Sequence, residues 1–169
     1  MTTVLSFDSG ATRTGWSVLA DTPLTYIASG VVHTPRPKTE AFQVYRMFLT
    51  DKWVWNTIDL LQKFHPDVIV TETVPSRGAG IPEQLYLANT QITVVHAIAL
   101  YKGIPVEQVS ARTVQAAIAV RGKGKKITKP QVRNGVFLRL PELIPRFKEF
   151  TKVFEESDAL AIGLHYLEK

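Results

Sequence analysis

Residues 2–8, TTVLSFD, bring Val4, Leu5 and Phe7 together ahead of Asp8, the pattern of a short buried strand closed by an acid. The turn pair Ser9-Gly10 follows. Residues 14–20 (TGWSVLA) and about 24–33 (LTYIASGVVH) predict two further strands, and the short polar links between them favour an antiparallel meander. Pro35 and Pro37 end that unit. From 39 to 64, Phe42, Tyr45, Phe48 and Leu49, then Ile58, Leu60 and Leu61, recur at helical spacing and predict one helix or two. Trp53 and Trp55 mark either a bend or core packing. His65-Pro66 stops the helix. Residues 67–72, DVIVTE, form a nearly continuous apolar run, as in the centre of a sheet. A helix precedes this run, so the predicted strand lies parallel to the first.

Residues 73–82 are rich in Gly and Pro and predict a loop; a helix is expected from about 83 to 101. Its apolar residues form two stripes, Leu85-Ala88-Ile92-Val95-Ala99 and Leu87-Val94-Ile98-Tyr101. At ~100° per residue the stripes lie roughly 130° apart. One stripe covers the sheet; the other needs a neighbouring helix or a second subunit. Residues 105–109 predict a short strand. A helix over 110–121 has Ser110 as its N-cap, and 122–128 form a basic glycine-containing loop. Another helix opens at Thr128-Lys129-Pro130 and ends near Leu140-Pro141, and a last one covers about 151–167. The order is that of one α/β domain over 1–169, with no repeat and no linker.

The composition fits this picture: 169 residues, 45% apolar and 21% charged. No apolar run approaches the ~20 residues that span a bilayer. The opening MTTVLSFDSG reads as a strand rather than a signal peptide. Cys is absent, which excludes disulfides and thiolate metal sites, and the expected location is the cytoplasm. Net charge is +5, which suits an anionic partner without proving one. The charge is unevenly placed: Arg112, Arg121, Lys123, Lys125, Lys126, Lys129, Arg133 and Arg139 follow one another with no acid between them.

Two carboxylates end neighbouring strands. If the strands holding Asp8 and Glu72 are parallel, both acids emerge at the same end of the sheet, where α/β sites form. A third cluster, Glu155-Glu156-Ser157-Asp158, opens the last apolar helix, and Glu155 and Asp158 share a helical face. Each acid alone has a plain structural reading, as a turn cap, a strand end or a helix-start acid favoured by the macrodipole. Together they are the set that two-metal phosphodiester hydrolysis requires: oxygen ligands on rigid elements, flanking and bridging two Mg²⁺ ions. His165, two turns after Asp158, reads as a packed helix residue rather than a ligand.

FDSGATRTGWSVL, DVIVTETV and ESDALAIGLHY resemble, in order and spacing, the RuvC family of Holliday-junction resolvases. The resemblance runs along the whole chain. It implies an RNase H-like fold with a mixed five-stranded sheet, three antiparallel strands then two parallel, flanked by helices. It implies a homodimer that uses Mg²⁺ or Mn²⁺ to cut four-way DNA junctions, and no membrane. Asp8, Glu72 and Asp158 would be metal ligands. The family's fourth ligand, commonly Asp or His, falls here on Glu155, with Glu156 in reserve. Arg112 and Lys129 stand where the family contacts phosphates, and Lys123, Lys125 and Lys126 would add to them. Relatives often carry a wedge aromatic after the central Glu; here Arg77 and Ile81 stand in that loop, and no aromatic comes before Tyr86. Loss of the wedge would relax selectivity toward three-way junctions, flaps or forks.

Three other readings compete. A YqgF-like RNA-processing nuclease would share the acidic first strand. A junction-binding protein without catalysis would not need the acids, whose mutual repulsion costs stability. An actin-like phosphotransferase needs two such domains, for which 169 residues are too few.

Overall fold

The computed structural model describes residues 1–10, 12–34, 42–73, 83–120, 126–148 and 154–169. Five strands, β1 (Thr3–Asp8), β2 (Arg13–Ala20), β3 (Thr25–His33), β4 (Val68–Glu72) and β5 (Val106–Val109), form one sheet in the order β3-β2-β1-β4-β5. β1, β2 and β3 pair antiparallel, whereas β4 runs parallel to both β1 and β5. This is the mixed sheet that the meander and the helix-separated strand predict. Among the described residues no helix is long and apolar enough to cross a membrane.

Alternation of side chains sorts the strands onto two faces. Val4 of β1, Leu19 of β2, Val68 and Val70 of β4 and Val109 of β5 pack beneath α3 (Ala111–Ile118), α4 (Lys129–Arg139) and α6 (Phe154–Leu167). Leu5, Phe7, Val18 and Ile69 face the other way, onto α1 (Phe42–Phe64) and α2 (Glu83–Lys102). Asp8 follows Val4 and Ser6 at period two, and Glu72 follows Val68 and Val70, so both acids belong to the α6 face.

α1 is a single helix. Trp53 is buried with Tyr45, Leu49 and Leu87, while Trp55 is 60% exposed, so neither marks a bend. α1 also supplies the cover for the second stripe of α2. Leu87 and Val94 pack in the α1 cluster and Ile98 joins the sheet core; Tyr101 stays exposed. The neighbouring helix therefore covers the Leu87 and Val94 end of that stripe and leaves Tyr101 uncovered.

α3 ends at Ile118, earlier than the pattern predicts, because Val120 leaves the helix to donate its N–H to Gln131 in the first turn of α4. Ser110 caps α3 by accepting from the Thr113 N–H. α4 opens as expected, with Thr128 as its cap and the Gln131 side chain accepting from the Thr128 N–H. One 3-10 turn (Pro141–Leu143) and the short α5 (Ile144–Lys148) have no counterpart in the sequence reading.

α6 lies along β1 and β2 on small residues. A Cβ at Gly15 would stand 1.8 Å from the Glu155 carbonyl oxygen, and one at Gly163 would stand 3.0 Å from Leu19 and from the Ser6 hydroxyl. Between them, the Ala159 carbonyl accepts from the Ser6 and Ser17 hydroxyls at 2.8 and 3.2 Å. Four helical residues advance about 6 Å and two strand residues about 6.7 Å. Glu155, Ala159 and Gly163 therefore step in register along Gly15, Ser17 and Leu19. This register fixes where the first turn of α6 meets the end of β1.

Candidate active site

The register of β1 against β4 pairs Phe7 with Thr71, which sets Asp8 beside Glu72. On the other side Asp8 pairs with Gly15, and Gly15 carries the backbone of Glu155. Two strand ends and one helix start thus converge at one corner of the sheet. The N-terminus of α3 adjoins them, because Glu72 pairs with Val109 and Ser110 opens that helix. Glu72 and Asp158 line a cleft of about 40 Å³ with Ala111, Val114, Gln115 and Val132.

Burial and mutual repulsion govern the ionisation of these acids. Burial pushes Asp8 well above the usual carboxylate range, and the charges of Asp158 and Glu72 push it the same way. The contact between Asp8 and Glu72 raises Asp8 further and works against the rise of Glu72. Glu72 is also raised, chiefly by burial; the hydrogen bond from Asp8 opposes this and the Asp158 charge adds to it. Asp158 is raised by burial against the opposing pull of Lys129.

Lys129, at the first turn of α4, reaches into this group. Its Nζ lies 2.8 Å from Asp158 Oδ2. Burial alone would lower the ammonium, but its bond to Asp158 and the charges of Asp158, Asp8 and Glu155 outweigh that and raise it. Glu155 Oε2 is buried and has no hydrogen-bond partner among the described residues.

The donor set suits a hard divalent cation: clustered carboxylate oxygens whose mutual charge and burial raise them, no sulfur, and one buried oxygen without a partner among the described residues. Among the described residues no three His, Asp or Glu side chains stand close enough together to hold a metal ion as they are placed here. The Lys129 ammonium stands among them instead.

Glu156 does not serve as the reserve ligand. It turns to the far side of α6, where its Oε1 accepts from the Ser29 hydroxyl at 2.5 Å and from the Arg146 guanidinium at 2.7 Å. Arg146 also donates to the Tyr26 hydroxyl and to the Ser29 carbonyl. This network ties α5 and β3 to the first turn of α6. Successive residues on a helix point about 100° apart, so the neighbour of a site acid faces elsewhere.

The basic run divides in the same way. Arg112 follows Ala111 at the rim of the cleft and is exposed, as is Lys126. Arg133 stacks over Phe137 and Phe154. Arg139 is a structural clasp rather than part of an open patch: it pairs with Glu168 at 2.5 Å and donates to the carbonyls of Ile118, Gly135 and Ala117. Arg77, Lys123, Lys125, Arg121 and Ile81 lie outside the described residues. His165 is buried in α6; burial lowers its pKa, with Lys169 acting in the same direction.

Several residues that build this corner escaped the sequence reading. Ser6 and Ser17 look like interruptions of apolar strands, yet both bond Ala159. Gln91, fully buried on α2, accepts from Thr14 at 2.8 Å, and Thr14 adjoins Gly10 in the turn after Asp8. The available signal was small or polar residues at period two in β2 (Gly15, Ser17) and at period four in α6 (Ala159, Gly163).

A mixed sheet with acids at the adjacent ends of its first and fourth strands, completed by an acidic helix, defines the class: an RNase H-like nuclease. Comparison with known proteins narrows it. The family model described as crossover junction endodeoxyribonuclease RuvC matches residues 4–166, and the chain belongs to the RuvC family. The crossover junction endodeoxyribonuclease RuvC of Geobacter metallireducens is 24% identical over 163 residues, 95% of this chain and 89% of that one. Thermus thermophilus RuvC, solved in complex with a Holliday junction substrate, superposes with a TM-score of 0.68 at 21% identity, covering 98% of this chain and 92% of the other. The yeast mitochondrial Holliday junction resolvase Ydc2 gives a TM-score of 0.70 at 18% identity, over 97% and 77%. At these identities the solved structures speak to the fold.

Proposed function

We propose that this chain, as one nuclease domain, resolves four-way DNA junctions by metal-dependent phosphodiester hydrolysis, with Asp8, Glu72, Asp158 and Glu155 holding two Mg²⁺ or Mn²⁺ ions. The observation that supports this reading is that Asp8, Glu72 and Asp158 stand within one another's field at the carboxyl ends of β1 and β4, with the Lys129 ammonium bonded to Asp158. Asp8, Glu72, Asp158 and Glu155 would hold the divalent cations there, which would lower the pKa of an attacking water and offset charge at the leaving oxygen. The protein's part is to hold oxygen ligands on strand and helix ends that α6 locks in register. Arg112, Lys126 and Lys129, with Arg77, Lys123 and Lys125, would meet phosphates and orient the backbone without reading sequence.

Four-way junctions present two symmetric strands, so a two-fold homodimer would bring two such sites to one substrate. Exposed apolar residues on the outer face of α1, including Met47, Phe48 and Trp55, are what a second subunit would cover. The expected setting is the cytoplasm, where DNA and divalent ions meet. The absence of an aromatic before Tyr86 favours tolerance of three-way junctions and forks as well.

The test is a panel of four-way, three-way and forked DNAs, with a structured RNA beside them, incubated with Mg²⁺, Mn²⁺ or chelator. Cutting of branched DNA only with metal is expected. Preference for the RNA would favour a YqgF-like role. Asp8→Asn should lower cutting by about a thousandfold or more while junction binding survives. Normal cutting by that variant would overturn the assignment. Binding should also weaken steeply with salt as counterions are released.

A further inference from the structure

The position of Lys129 carries more than a phosphate contact. Its ammonium is 2.8 Å from Asp158 Oδ2 and within the field of Asp8 and Glu155. α4 holds it there: Thr128 caps the helix immediately before it, and its ammonium lies over the Phe154 ring at 5.8 Å. Arg133, one turn along, stacks over the same ring at 5.4 Å. Phe154 directly precedes Glu155, so α4 brings two cations against the start of the acidic helix. The lysine side chain is nevertheless 55% exposed, while Asp158 is only 20% exposed. The ammonium therefore has solvent to move into, and the carboxylate does not.

We propose that Lys129 is a built-in counter-cation of the carboxylate corner, displaced from Asp158 when a divalent cation binds. The proposal rests on the metal-site reading above. Four acids gathered without positive charge repel one another, and an ammunition of hydrogen bonds cannot remove that repulsion; one ammonium partly does. A divalent ion carries twice the charge and takes oxygen ligands at closer range. It wins Asp158, and the freed ammonium swings outward on its flexible stem to the side from which a phosphate would approach. In this way the metal-free corner stays folded, and a cationic group is released toward DNA only when the site is loaded.

The experiment is calorimetric titration of Mg²⁺ and Mn²⁺ into DNA-free wild type, Lys129→Met, Lys129→Arg and Asp8→Asn, with thermal melts in chelator alongside. Removing a competing cation should tighten metal binding in Lys129→Met about five-fold, the scale of a half-exposed ion pair. Lys129→Arg, which keeps the charge, should bind as wild type does. In chelator Lys129→Met should melt below wild type, and saturating metal should narrow the gap. Unchanged affinity in Lys129→Met would overturn the proposal. Weaker affinity would also overturn it, since Lys129 would then be arranging the acids for the metal rather than competing with it. If wild type itself binds neither ion, or Asp8→Asn binds as well as wild type, the metal-site reading fails first, and that failure is distinct from the other two.

Discussion

On one face of the sheet the line of α6 over β1 and β2 runs through Gly15, Ser6 and Ser17, beside an apolar core that includes Val4, Leu19 and Val70; on the other α1 and α2 rest on leucine, valine and phenylalanine throughout. The α6 face is held by backbone-to-backbone approach and by hydroxyls bonded to one carbonyl, so its geometry is nearly fixed. The opposite face is held by interdigitated apolar side chains, which tolerate exchange when volume is kept. The difference teaches where exactness is needed. Placing carboxylates to share cations requires errors of about half an ångström or less. At Gly15 and Ser17 the small residues provide that, because there the helix backbone meets the strand with no long side chain between them.

The sharpest break in the comparison is Gly15→Val. With its Cβ 1.8 Å from a main-chain oxygen, the variant must lift α6 off β2. We expect a loss of more than about 3 kcal/mol in denaturant unfolding, with no cutting in whatever fraction stays folded. Val95→Ala, a deletion on the buried seam of α2, should cost about 2 kcal/mol and leave cutting in the folded protein near normal. If the two variants lost cutting alike, the contrast between the faces would be gone.

Arg146→Ala comes next. It leaves the Glu156 carboxylate, 7% exposed, without its cation and frees the first turn of α6 from β3. A loss of about 1–3 kcal/mol is expected, together with a raised metal requirement for cutting, measured as the concentration giving half-maximal rate. Glu156→Gln, which keeps the Ser29 contact, should restore much of the stability if combined with it.

Ionisation gives a smaller effect with a definite sign. Burial raises Asp8, Glu72 and Asp158 from their ordinary values, Asp8 the furthest. Acids raised in the native state favour folding below their unfolded pKa of about 4, and that contribution is lost as pH rises through the raised native values. Melts in chelator should therefore show these acids costing stability as pH climbs from about 4 toward neutrality. Asp8→Asn should flatten the trend, and so should saturating metal. The smallest effect belongs to the outer face: Tyr101→Ser, at a residue 85% exposed, should stay within about 0.5 kcal/mol.

Much of this was legible in the chain. Asp8 and Glu72 could be set at the ends of parallel strands because Val4-Leu5-Phe7 and Val68-Ile69-Val70 announce buried strands and a helical period separates them. Thr128 and Pro130 marked the start of α4. The role of Glu156 was not legible: it sits beside Glu155 and has the same chemistry, and only the rotation of α6 leaves one in the field of Lys129 and Asp158 and sends the other to Ser29 and Arg146. The stripe on α2 likewise left its cover open, since periodicity shows which residues need burying and not what buries them.

By itself the sequence determined the five strands, the longer helices and the acids that end or begin them, because these follow from local periodicity and from residues a few positions apart; the end of α3, the 3-10 turn and α5 do not. The tertiary structure decided which acids meet, through contacts between residues more than a hundred positions apart: Gly15 under Glu155, Ser17 on Ala159, Ser29 on Glu156. It also decided that Lys129 points at Asp158 and that Arg139 does not face solvent as part of a patch. Such choices depend on the register between elements, which is a property of close packing and has no period along the chain.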